Sequence, residues 1–179
     1  MADITHGTWI KDGKAVDAVY QSGVKVYGRN LYADTLNINN PKVWNRQWTK
    51  TGEVYNGMTA VTNPSDWDGL SQTLSAKTGE IYTFSLYAKY ESGTGQSNLY
   101  FRGTDGKDSN NTDIMSKTVN LDETWKRVFG TFTITADGFI SPRLERGKSN
   151  TNTLIVAGLK LEKGSTATPY SQAPEDISN

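Results

Sequence analysis

The sequence predicts an all-β protein: a jelly-roll β-sandwich with a short N-terminal β leader and an extended C-terminal linker. Three observations carry that prediction. Four segments alternate apolar and polar residues with a period of two, clusters of Gly, Asn, Asp and Ser separate them, and no segment carries a helical stripe. Composition agrees. The 17 Gly supply turns, and the five Trp and nine Tyr suit half-buried pleated surfaces. With 179 residues, one domain is expected, long enough to bury a core without staples.

Taken in order, "GTWIKDGKAVDAVYQSGVKVYG" reads as short strands around the turns Asp12-Gly13 and Ser22-Gly23. This leader, residues 1–29, gives way at "RNLY" to the sandwich, residues 30–164. Residues 37–69 read as loop-rich, with Asn39, Asn40, Pro41, Pro64 and the tryptophans Trp44, Trp48 and Trp67. In "IYTFSLYAKY", Tyr82, Phe84, Leu86, Ala88 and Tyr90 share one face, while Thr83, Ser85, Tyr87 and Lys89 share the other. "SNLYFRG" opposes Leu99 and Phe101 to Asn98, Tyr100 and Arg102, and "VFGTFTIT" opposes Phe132 and Ile134 to Thr131 and Thr133. In "NTLIVAGLKLEKG", Ile155, Ala157, Leu159 and Leu161 are expected inward, with Val156, Gly158, Lys160 and Glu162 outward. Residues 165–179, small and interrupted by Pro169 and Pro174, read as a linker. Two sheets can bury these apolar faces while a polar face stays open, hence the sandwich.

Charge and chemistry exclude several function classes. Nineteen basic and nineteen acidic side chains give no bulk attraction to nucleic acid or anionic lipid. No run of about 18 apolar residues exists, so no membrane insertion is expected. "MADITHGTWIKDGK" lacks an apolar signal stretch, and the absence of Cys fits synthesis in a reducing cytoplasm. The one histidine, His6, lies outside the sandwich and reads as a solvated terminal side chain, which leaves no Ser-His-Asp site. There is no phosphate-binding Gly-rich loop. Asp66 and Asp68 are the nearest carboxylate pair, but "SDWDG" reads equally as a turn, and no catalytic residue is assigned.

The stretch "GLKLEKGSTATPYSQAPED", Gly158 to Asp176, resembles the closing strand and exit of carbohydrate-binding-module-like domains in tail and baseplate proteins of phages infecting Gram-positive bacteria. "GTWIKDGKAVDAVYQSGVKVYGRNLY" resembles the leader before such modules, and "GLSQTLSAKTGEIYTFSLYAKY" their paired central strands. The match runs from about Gly7 to Asp176, weakest over residues 37–67. The resemblance implies a non-catalytic saccharide-binding module of a phage tail or baseplate. Its partners would be host cell-wall polysaccharide and other tail proteins, and its location the virion, after synthesis in the host cytoplasm. A structural tail domain without sugar binding, or a glycan-cleaving enzyme, are the alternatives. Sugar-binding jelly rolls often hold a structural calcium. "TDGKDSNNTD" offers Asp105, Asp108 and Asp113, but not at EF-hand spacing, so neither metal nor cofactor is assigned.

A saccharide site needs exposed aromatic plates beside hydrogen-bonding side chains, because a sugar ring has apolar C–H faces and a hydroxyl rim. Two groups qualify. Tyr87 with Lys89, and Tyr100 with Arg102, place an aromatic and a cation on the polar faces of their strands. Trp44, Trp48 and Trp67 stand among Asn45, Arg46, Gln47 and Asp68, and Arg143 with Glu145 would add to the open face. If the two tyrosine-bearing strands are neighbours, the four residues form one patch. Trp9 and Trp125 are assigned to packing.

Overall fold

The computed structural model describes residues 3–5, 7–101 and 115–177, and the fold is an all-β jelly-roll sandwich. The leader comprises β1 (Asp3–Thr5), β2 (Thr8–Lys11) and β3 (Lys14–Ala15), which form one small sheet, and the hairpin of β4 (Ala18–Gln21) and β5 (Val24–Gly28). Asp12-Gly13 and Ser22-Gly23 make the two tight turns, all four residues with positive φ, as type I′ hairpin turns require. Further along the chain come β6 (Thr49–Tyr55), β7 (Met58–Asn63), β8 (Leu74–Ala76), β9 (Ile81–Tyr90), β10 (Gly95–Tyr100) and β11 (Met115–Leu121). The last four strands are β12 (Lys126–Thr133), β13 (Gly138–Ile140), β14 (Arg143–Arg146) and β15 (Leu154–Lys163).

Two sheets make the sandwich. One has five strands in the order β12-β9-β15-β7-β6, and the other has three, β11-β10-β14; β13 and β8 pair as a ribbon. The inward side chains of β9, Tyr82 to Tyr90 on alternate positions, meet Leu99, Phe101, Val119, Leu121 and Leu144 in one core. Phe101 stacks on Phe132 across the layers, with ring centroids 3.5 Å apart. Each such large side chain contributes about 1.5–3 kcal/mol by leaving water. The period-two reading of β9, β10 and β12 therefore gives the correct inward faces.

Three expectations need correction. The region read as loop-rich holds the β6–β7 hairpin, turning at Asn56-Gly57 and joined to the main sheet through β15. The inward set expected for β15 is right only in its second half. A bulge between Ala157 and Lys160, centred on Gly158 with φ +60°, inserts an extra residue and reverses the alternation. Upstream of it Val156 faces the main core, while Ile155 and Ala157 join Met58 and Ala60 on the outer face.

The third correction concerns the C-terminal stretch. Residues 165–176 do not extend away; they lie across the outer face of the five-stranded sheet and bury its polar side chains. Glu162 accepts the Thr168 N–H at 2.8 Å and a salt bridge from Lys25 at 2.9 Å. Lys160 donates to the Thr168 hydroxyl, the Pro169 carbonyl and the Ser171 hydroxyl at 2.7–3.0 Å. Thr8 of the leader donates to the Gln172 carbonyl, and Asn30 to the carbonyls of Leu159 and Ser171. Burying an ammonium and a carboxylate is tolerated only when such partners replace water. No helix among the described residues is long and apolar enough to cross a membrane.

Candidate functional site

The outer face of the three-stranded sheet is set by the register of β10. Tyr100 lies opposite Arg143 and Asn98 opposite Glu145 on β14, while Asn98 faces Thr118 and Gln96 faces Asn120 on β11. Because Ser97 and Leu99 point into the sandwich, these partners present one aromatic ring and a row of amides and hydroxyls outward. The row is ordered: Thr118 donates its hydroxyl to Asn98 Oδ1 at 2.9 Å, and Gln96 donates its amide to Asn120 at 3.1 Å. Arg143 donates to the Glu145 carboxylate and to the Ser141 carbonyl, with its guanidinium 5.8 Å from the Tyr100 ring centroid. That distance is a cation–π contact, so the arginine fixes the ring while the carboxylate holds the arginine.

Trp67 forms the wall of this face. It is 55% exposed, unusually open for a tryptophan, and its backbone is left-handed at φ +51°, a conformation rare outside Gly and Asn. The surroundings hold it there. Its N–H donates to the Arg146 carbonyl at 3.0 Å, and the ring lies against Gly147 and edge-on to Tyr100, with centroids 6.5 Å apart. Next to it, Asp68 accepts from the Trp48 indole at 3.3 Å and the Asn63 amide at 3.0 Å, anchoring the loop from beneath. Gly69 is required, since a Cβ there would fall within 3 Å of the Arg143 stem. Strain stored in an exposed aromatic points to function rather than packing. This strip of the outer face, with Trp67 and Tyr100 at one side and the hydrogen-bonding side chains of β10, β11 and β14 beside them, is the candidate groove.

The structure distributes the sequence candidates over separate places. Trp67, Tyr100 and Arg143 come together, with Glu145 beside them. Trp44 and Trp48 are nearly buried in the main core; Trp44 packs edge-on to Tyr32 and donates to Asp34 at 3.2 Å. Their edges line a separate hollow of about 230 Å³ with Ile38, Pro41, Arg46 and Gln47. Tyr87 and Lys89 emerge on the expected face of β9, but β9 belongs to the five-stranded sheet and β10 to the three-stranded one. The four-residue patch that adjacency of these strands would create is therefore absent. Arg102, the loop carboxylates Asp105, Asp108 and Asp113, and His6 lie outside the described residues. Among the described residues, no cluster of three or more His, Asp or Glu side chains forms a metal site.

The sequence reasoning missed Thr118 and Asn120, the partners of Asn98 and Gln96. The alternation in "KTVNL", with Val119 and Leu121 buried, would have exposed them. It also missed Glu53 and Tyr55, which meet Tyr87 and Lys89 through the β6–β7 hairpin.

Comparison with known proteins gives a consistent result. Residues 47–142, more than half of the chain, match the family model described as a carbohydrate binding domain. No curated protein matches the chain in sequence. Among solved structures, the tandem CBM22-1-CBM22-2 domain of Paenibacillus barcinonensis Xyn10C is 17% identical with TM-score 0.58, over 79% of this chain and 46% of that one. The C-terminal family 22 carbohydrate binding module of Clostridium thermocellum Xyn10B is 16% identical with TM-score 0.57, over 77% and 96%. A xylan-binding domain from CBM 22 is likewise 16% identical with TM-score 0.57, over 78% and 97%. At such identities the likeness establishes the fold.

Proposed function

Because the chain belongs to the carbohydrate binding domain family, we propose that it is a non-catalytic saccharide-binding module that uses the groove of the three-stranded sheet. The observation that carries this reading is Trp67, exposed, held in left-handed backbone and set edge-on to Tyr100. A pyranose ring would lay its C–H face on these aromatics and direct its hydroxyls to Asn98, Gln96 and the Arg143–Glu145 pair. Glu145 is buried and holds Arg143, a positioning role that favours binding over glycoside cleavage.

The biological setting belongs to the same proposal. The resemblance of the leader and of "GLKLEKGSTATPYSQAPED" to phage modules supports a place on a phage tail or baseplate, contacting the wall polysaccharide of a Gram-positive host. The xylan-binding domain among the structural neighbours makes xylan a second probe to try. The test is retention of the domain on immobilised Gram-positive wall polysaccharides and on xylan, with released sugar measured in parallel. Retention without release is expected. Release of oligosaccharides, or no retention on any of them, would overturn the reading.

A further inference from the structure

We propose that the outer face of the five-stranded sheet carries a second saccharide-binding surface, separate from the groove. Tyr55 at the end of β6, Tyr87 on β9 and Trp125 just before β12 converge there and pack on a buried apolar cluster of Met58, Ala60, Ile155 and Ala157. Tyr55 and Trp125 stack at 4.6 Å between centroids and 22° between planes, and Tyr87 lies 5.1 Å from Tyr55. All three rings are half-buried. The leader and the C-terminal stretch bury the neighbouring outward residues Thr83, Ser85, Lys160 and Glu162 completely or nearly so, yet Tyr87 and Lys89 on the same face remain partly open.

A charged pair is built into this cluster. Glu53 accepts from the Trp125 indole at 2.7 Å and from Lys89 at 2.9 Å, and the Lys89 ammonium sits 5.0 Å from the Trp125 ring centroid. The hydrogen bond from Lys89, then that from Trp125, holds the Glu53 carboxyl below its ordinary range, so it is an acceptor at neutral pH. The rings and the ion pair are thus fixed before any ligand arrives, which lowers the ordering cost of binding. The exposed part of this cluster of stacked and tilted rings, beside an acceptor and a donor, suits a pyranose, whose C–H groups pack on the aromatic carbon while adjacent hydroxyls bridge the carboxylate and the ammonium. Resting on the saccharide-binding reading above, this would let one domain hold two polysaccharide chains on opposite faces.

The test uses the full chain on immobilised Gram-positive wall polysaccharides and on xylan, with melting followed in parallel. A groove variant, Trp67→Ala with Tyr100→Ala, is expected to keep residual retention, and adding Tyr55→Ala is expected to remove it. Lys89→Gln leaves the rings packed, so it covers the case in which Tyr55→Ala fails to fold. In the groove-variant background it is expected to weaken residual retention about two- to tenfold at unchanged melting temperature. Loss of all retention in the groove variant, with Tyr55→Ala and Lys89→Gln binding like the parent, overturns the second surface and leaves the groove standing. Loss of all retention in the outer-face variants alone supports the second surface and overturns the groove. Absence of retention in the unaltered chain overturns both.

Discussion

At Trp67 an apolar ring is kept in solvent by a backbone conformation that costs about 1–3 kcal/mol, offset by its hydrogen bond to Arg146 and its contact with Gly147. Trp67→Ala is expected to change stability by no more than about 1 kcal/mol, since more than half of the residue is exposed and the backbone hydrogen bond to Arg146 is kept. A large drop in melting temperature would show that the ring is a packing element. Lys160 illustrates the opposite case, a charge kept out of solvent. Desolvation pushes its pKa from 10.5 to about 8; Glu162 opposes that shift, and Lys25 and Arg127 reinforce it. The unfolded chain therefore binds this proton more tightly than the folded one. Below about pH 8 both states are protonated and the full cost of the buried charge is present. Between about pH 8 and 10.5 that cost is relieved, so stability gains from this group as pH rises. Denaturant unfolding of the parent and of Lys160→Met across that window checks the sign. The parent is expected to gain relative to the variant, and parallel curves would contradict it. Residue-level patterns placed Tyr100 on the outward face of its strand, but sequence could not tell a buried Trp44 or Trp48 from an exposed Trp67. That difference depends on which loop the chain folds beneath Asp68.

At the scale of elements, strands with one face in the core were legible wherever the alternation ran unbroken, as in β9 and β12. It failed in β15, because a bulge at Gly158 changes the phase without changing the composition. Gly158 is needed on two counts. Its φ is +60°, and a side chain would collide with the Met58 sulfur and press on Tyr87. Gly158→Ala is expected to cost about 1–3 kcal/mol, read as a lower urea midpoint with an unchanged slope. An unchanged midpoint would mean that the bulge relaxes freely. The β6–β7 hairpin was missed for another reason. β6 is an edge strand with mostly exposed residues, so no apolar alternation marks it. The C-terminal stretch looked like a linker because its composition is that of one. What docks it is a set of buried polar partners, Lys160, Glu162, Asn30 and Thr8, that lie far from it in sequence or look solvated on paper.

For the molecule as a whole, two sheets offer two outward faces, and the leader and C-terminal stretch cover part of one. The groove of the other offers a single aromatic pair, so an isolated domain is expected to bind weakly, with a micromolar or poorer Kd, and firm adhesion would need several linked copies. Nanomolar binding by the isolated domain would contradict this. The most direct test of the central claim is calorimetric titration of the polysaccharide that retains the parent into four proteins: the parent, Trp67→Ala, Tyr100→Ala, and Phe129→Ala, which alters an exposed ring on the other sheet. The groove variants are expected to lose affinity by about two- to tenfold each, as removal of one aromatic contact implies, while remaining folded and while Phe129→Ala binds like the parent. Equal affinity in all four folded proteins would contradict the claim that this domain reads saccharide through Trp67 and Tyr100.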